Sequence, residues 1–140
     1  MSEDGTSEIV GVDVAAAVET GDSTAATLHS LVEFDRSGFN TLYVSETTRA
    51  AYESEDEMEA YFERIHNYVN IDFTEIELFT ADLFPVANRV RYKTTALDVI
   101  TLVRMYLDNR RGLFFAVERG DPVEPLVADF EALFVGDDGD

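Results

Sequence analysis

The sequence predicts an α+β fold: a two-layer domain in which an antiparallel-dominated sheet of about five strands packs with three helices. Three observations carry this expectation. Met58–Val69 and Val123–Phe134 repeat apolar residues at helical spacing. Between and before them lie strand-length runs of Val, Ile, Thr and aromatic residues, separated by turn chemistry. The chain has 140 residues, 46% of them hydrophobic with ten Phe and six Tyr, which suits one core and is too short for two.

The elements follow in order. Residues 1–21 are rich in Asp, Glu, Ser, Thr and Gly and read as a solvated acidic tail with a short Ala-Val patch. The domain proper is expected over 22–135. A first helix is expected from Asp22 or Ser23, either of which can cap free backbone N–H groups, with Leu28, Leu31 and Val32 as its apolar face. Asp35-Arg36-Ser37-Gly38 is a turn, and Phe39–Val44 a short buried strand. Ser54-Glu55-Asp56-Glu57 has capping-box spacing ahead of Met58, Tyr61, Phe62, Ile65, Tyr68 and Val69, one continuous helical stripe.

Ile71–Phe84 fits either a strand or a helix, with the balance toward a strand near 73–79. Val86–Tyr92 alternates with Ala87, Arg89, Arg91 and Lys93, a two-residue period that predicts a strand with one polar face. Leu97–Leu107 is apolar on both faces and suits a central strand. Asp108–Gly112 reads as a hairpin turn into Leu113–Val117. After Pro122 a last helix presents Val123, Leu126, Val127, Phe130, Leu133 and Phe134, and Gly136 is expected to end it, leaving 136–140 as a second acidic tail. The expected order is α-β-α-β-β-β-β-α.

Charge is the most informative part of the composition. Twenty-nine acidic residues face ten basic ones, for a formal net charge of −19, and nine of the ten basic residues are Arg, Lys93 being the tenth. A domain of this size has a radius of gyration of roughly 14 Å. So much like charge on it is strongly self-repelling at ordinary ionic strength. Molar salt cuts the Debye length to about 3 Å and screens that repulsion. The balance therefore suits a salt-filled cytoplasm. The absence of cysteine excludes disulfides, thiolate catalysis and Cys-based metal sites. No run approaches the roughly 20 apolar residues of a membrane helix, and Met1-Ser2-Glu3-Asp4 lacks the basic start of an export signal. A cytoplasmic location is expected, with no membrane partner and a nucleic-acid partner disfavoured.

Leu31-Val32-Glu33-Phe34-Asp35, then Phe39-Asn40-Thr41-Leu42-Tyr43-Val44, then the capped acidic helix and the later strands, resemble a small haloarchaeal α+β family of unknown function. The element order also loosely resembles profilin-like and roadblock-type modules. That resemblance implies an adaptor or dimeriser; it assigns no catalytic residue, and fold alone does not fix function.

Chemistry-bearing patterns are sparse. His29 and His66, the only histidines, are expected in helices at surface or boundary positions, without the spacing of a ligand pair. No GxSxG turn and no glycine-rich phosphate loop occurs. Gly136–Asp140 lacks the ligand spacing of a calcium loop. No catalytic, cofactor or metal-binding residue is assigned, and no cofactor is implied. One feature stands apart: Arg89, Arg91 and Lys93 are expected on one face of a strand, with Arg110 and Arg111 in a nearby turn. Five of the ten basic residues then gather on one part of an acidic chain. They either pair with neighbouring carboxylates or form a face for an anion or an acidic partner. Tyr61 and Tyr68 are expected in the core, and Tyr52 at the surface, where aromatics can anchor an interface. The expected function is a non-enzymatic regulatory or adaptor module acting through protein–protein contacts, as a homodimer and with another protein. A sensor of anionic small molecules is the alternative, and an enzyme the third reading.

Overall fold

The structure is a computed structural model that describes residues 6–23, 26–83, 86, 89–108 and 110–138. Its elements are α1 (Val14–Ser23), β1 (Leu28–Asp35), β2 (Phe39–Val44), α2 (Glu46–Ala50) and α3 (Glu55–Glu77). A π-helical segment (Leu78–Leu83), β3 (Tyr92–Ala96), β4 (Ile100–Tyr106), β5 (Arg111–Glu118) and α4 (Val123–Asp138) follow. The five strands form one sheet in the order β2-β1-β5-β4-β3, every neighbouring pair antiparallel. The expected α+β class holds.

Alternation along the strands divides the core in two. Leu31, Val103, Met105, Leu113, Phe115 and Val117 face α1 and α4, where Ala17, Leu126, Val127 and Phe130 meet them. Val32, Phe34, Tyr106 and Phe114 face α3 and its Met58, Phe62, Val69, Phe73 and Ile76. The helices thus cover both faces of the sheet. On the α3 side the rings of Phe34, Phe73 and Tyr106 meet edge to face, with centroids 5.4–6.2 Å apart, a favoured aromatic geometry.

Several expected elements are placed differently. Leu28–Asp35 is strand β1, not the first helix. Leu28, Leu31 and Val32 mimic a helical face, but as a strand paired on both sides β1 buries residues on both faces, and its two-residue period disappears. The first helix lies earlier, at Val14–Ser23, with Asp13 Oδ1 accepting the Ala16 N–H at 3.1 Å. From Val10 onward the expected tail is core: Val10, Val12, Val14 and Ala17 are buried. Residues 73–79 are not a strand: α3 runs on to Glu77 and a π-helical segment continues it. Asp72, Phe73 and Ile76 point inward, continuing the Phe62–Val69 face. The strand expected from Val86 begins only at Tyr92; Phe84, Pro85, Ala87 and Asn88 lie outside the described residues. Helix α4 passes Gly136 and ends at Asp138. Ser54 caps α3 as its capping box predicts, its side chain accepting from the Glu57 N–H. Both the β4–β5 hairpin and β2 lie where expected.

Gly112 shows how tightly β5 is packed. A methyl group there would sit 2.1 Å from the Met105 carbonyl oxygen and 2.7 Å from Phe34 Cζ. The first neighbour is backbone and cannot swing aside. Gly112→Ala is therefore expected to destabilise the fold by ~3 kcal/mol, read as a lower denaturation midpoint by circular dichroism.

Candidate functional site

The most concentrated polar site is one that sequence reasoning missed. Asp72, on the inner face of α3 and only 3% exposed, is a carboxylate set within an apolar stripe. It accepts from Lys93 Nζ of β3 at 2.8 Å, from Arg104 Nε of β4 at 2.5 Å, and from the Tyr106 hydroxyl. Lys93 also reaches Glu75. Burial pushes the Tyr106 hydroxyl well above the usual tyrosine range, and its bond to Asp72 pushes it further. Burial alone would lower the Lys93 ammonium, but Asp72 and Glu75 outweigh that and raise it. The sequence signal is one acid, Asp72, between Val69 and Phe73 on the buried side of a helix.

The five basic residues singled out in the sequence do not share one face. Arg89 and Arg91 turn toward α4. Arg91 Nε and Nη2 form a fork on Glu131 at 3.1 and 2.9 Å, its Nη1 donates to Glu124 at 2.8 Å, and Arg89 Nη2 joins Glu131 at 3.1 Å. Glu124 and Glu131, seven residues apart, present one side of α4 to these cations. Bonding to Glu131 and then Glu124 raises the Arg91 guanidinium further above its usual value. Lys93 faces α3 instead. Arg110 and Arg111 stand at the β4–β5 hairpin, where Arg111 pairs with Asp108 at 3.1 Å. The strand that would have aligned Arg89, Arg91 and Lys93 starts too late to do so.

A second buried acid lies on the opposite face. Glu33 of β1 has no exposed surface and accepts four hydrogen bonds: from Ser7 Oγ (2.8 Å), the Glu8 N–H (2.5 Å), the Val10 N–H (3.0 Å) and Asn40 Nδ2 (2.7 Å). Burial alone would raise its pKa; Asn40, the two backbone donors and Ser7 outweigh that and hold it below its ordinary 4.5. His29 lies in β1, not in a helix, 2.6 Å from Glu118. His66 lies in α3 as expected but is buried, its Nε2 donating to the Asp35 carbonyl at 2.7 Å. Among the described residues no group of three or more His, Asp or Glu is placed to hold a metal ion, and no helix is long and apolar enough to cross a membrane.

The outer face of α3 is unlike an ordinary solvated helix. Tyr61, Tyr68, Ile71 and Leu78 are 45%, 61%, 54% and 46% exposed. Tyr61 and Tyr68 are therefore surface residues, contrary to expectation. Tyr52 is half-buried, its ring 5.3 Å from that of Tyr61.

No family model and no curated protein matches the sequence. Among solved structures the chain is similar to Myxococcus xanthus MglB, with a TM-score of 0.52 and 8% identity over 88% of this chain and 95% of that one. It is also similar to an MglB with a tetrameric arrangement, with a TM-score of 0.53 and 15% identity over 96% of this chain and 95% of the other. The fold is roadblock-like. At such identities the likeness is one of fold.

Two outcomes follow from the buried acids. Asp72→Ala strands Arg104 and the Tyr106 hydroxyl without their partner and is expected to cost about 3–5 kcal/mol in denaturant unfolding. Because Glu33 titrates below its unfolded value, the stability it contributes is present above about pH 4.5 and is lost as pH falls through its lower folded-state value. Asp108, also held below its usual range, acts in the same direction. Glu33→Gln is expected to cost about 2 kcal/mol at neutral pH and to flatten the acid limb of a melting-temperature profile; an unchanged acid limb would assign that loss to other carboxylates.

Proposed function

We propose that the chain is a non-enzymatic regulatory or adaptor module of a salt-rich, haloarchaeal-type cytoplasm, working through protein–protein contacts and first of all with a second copy of itself. The observation that carries this reading is the outer stripe of α3. Tyr61, Arg64, Tyr68, Ile71, Glu75 and Leu78 follow one another at intervals of three and four, the spacing of a helix–helix seam.

The stripe is self-complementary. A two-fold axis between Tyr68 and Ile71, with the helices antiparallel, sets Tyr68 against Ile71 of the second copy, Arg64 against its Glu75 and Tyr61 against its Leu78. Apolar residues then meet apolar ones and a cation meets an anion, as an isologous interface requires. Glu75 uses Oε1 for Lys93, which leaves its second oxygen for Arg64. Self-association also has a precedent in this fold, since one similar structure is a tetrameric arrangement. Two chains of net charge −19 repel, so close pairing depends on screening by salt.

Light scattering coupled to size exclusion in molar KCl is expected to give a dimer that dissociates on dialysis to low salt. Ile71→Asp should yield a folded monomer. Arg64→Glu should weaken the dimer and Glu75→Arg should restore it in the double variant. A wild-type monomer in molar KCl would sink the proposal.

A further inference from the structure

Lys93 and Arg104 stand opposite each other in the β3–β4 register, and both turn toward α3. Two cations side by side on one face of a sheet repel. Asp72 lies over the pair and supplies one negative charge. Glu75, three residues further along α3, supplies the second by accepting from Lys93 Nζ. Two cations and two carboxylates then balance. Only 5% of the Asp72 side chain is exposed, whereas 46% of the Glu75 side chain reaches solvent. Glu75 is the outward end of a network whose inner end lies in the core. If it swung away, Lys93 and Arg104 would share a single counter-charge, so Glu75 is held in place from within. Arg64, on the same outer stripe of α3, is also placed by its own chain: its guanidinium lies over the Tyr61 ring, 5.5 Å from the centroid.

We propose that Lys93, although it lies off the outer stripe of α3, sets the strength of self-association by holding Glu75 ready for Arg64 of the second copy. The inference rests on the antiparallel α3 pairing proposed above. An exposed ion pair contributes little when two long side chains must be ordered to form it. Here both are oriented before the copies meet, which reduces that cost. A contact pair is also no longer than the Debye length at molar salt, about 3 Å, so it outlasts longer-range attraction. Two-fold symmetry makes the contact twice, and any change in it counts double. Arg89 and Arg91 are engaged by Glu124 and Glu131 of α4 and take no part.

The test is the dimer Kd in molar KCl, from light scattering over a concentration series. Lys93→Gln leaves Asp72 its bonds to Arg104 and Tyr106 and should keep the fold, checked by circular dichroism. Its Kd should rise roughly three-fold per contact and ten-fold in all, whereas Arg91→Gln, with the same loss of charge, should leave Kd unchanged. In the Glu75→Gln background, Lys93→Gln should add no further loss, because Lys93 acts through Glu75. A second measurement leaves Lys93 itself unaltered. As the only lysine, it gives unique side-chain resonances, which should shift on dilution through Kd and stay constant in Arg64→Gln. An unchanged Kd in Lys93→Gln, or constant lysine resonances in the wild type, would overturn the inference and leave the dimer standing. The same ten-fold loss repeated in the Glu75→Gln background would overturn it too, marking a role in the fold alone. A wild-type monomer would instead remove the α3 pairing itself, and the inference with it.

Discussion

The rotation of α3 about its own axis depends on one buried carboxylate. Asp72 cannot be left without partners in the interior, and those partners come from two different strands: Lys93 from β3, Arg104 and Tyr106 from β4. Only one rotation of the helix brings its carboxylate to all three. That rotation sends Phe62, Val69, Phe73 and Ile76 into the sheet and leaves Tyr61, Tyr68, Ile71 and Leu78 outside. The apolar outer face of α3 is thus a consequence of a polar requirement on its inner face. The only lysine of the chain is spent on it.

The two faces of the sheet solve the same electrostatic problem in different ways. Asp72 is neutralised by cations, which ties its contribution to charged side chains and to the state of the Tyr106 hydroxyl. Glu33 is surrounded by uncharged donors from Ser7, Glu8, Val10 and Asn40. Its charge is dispersed over hydrogen bonds rather than cancelled. In doing so it gathers residues 7–12 onto the sheet and makes them part of the folded unit. Two of the many acidic residues therefore act as internal connectors, and most of the others remain at the surface.

Composition and periodicity made the fold class legible, and Ser54 with Glu57 located the start of α3. What the sequence obscured has particular causes. β1 is buried on both faces, so Leu28, Leu31 and Val32 carry no two-residue period and imitate a helix. In 71–84 the outward apolar residues Ile71 and Leu78 blur the inward stripe of Phe73 and Ile76, so the segment looked two-sided. The residues that hid the helix are those exposed on its outer face. The basic cluster was visible as composition, but its partition was not. Arg89 and Arg91 find Glu124 and Glu131 across long sequence separations. Asp72 and Glu33 were legible as acids flanked by core residues, a signal easily lost where acids are everywhere.

The strand order has a consequence for how the chain is made. β1 gains one neighbour at once, β2, but its other neighbour is β5, which the ribosome delivers some eighty residues later. At roughly 5–20 residues per second the nascent hairpin waits about 4–16 s with the inner edge of β1 unpaired. During that interval Leu31, Val32 and Phe34 have no sheet to complete and α3 has only part of its platform. An unpaired apolar edge is a template for the wrong strand. The sheet is therefore closed from its middle, and only once β5 has emerged.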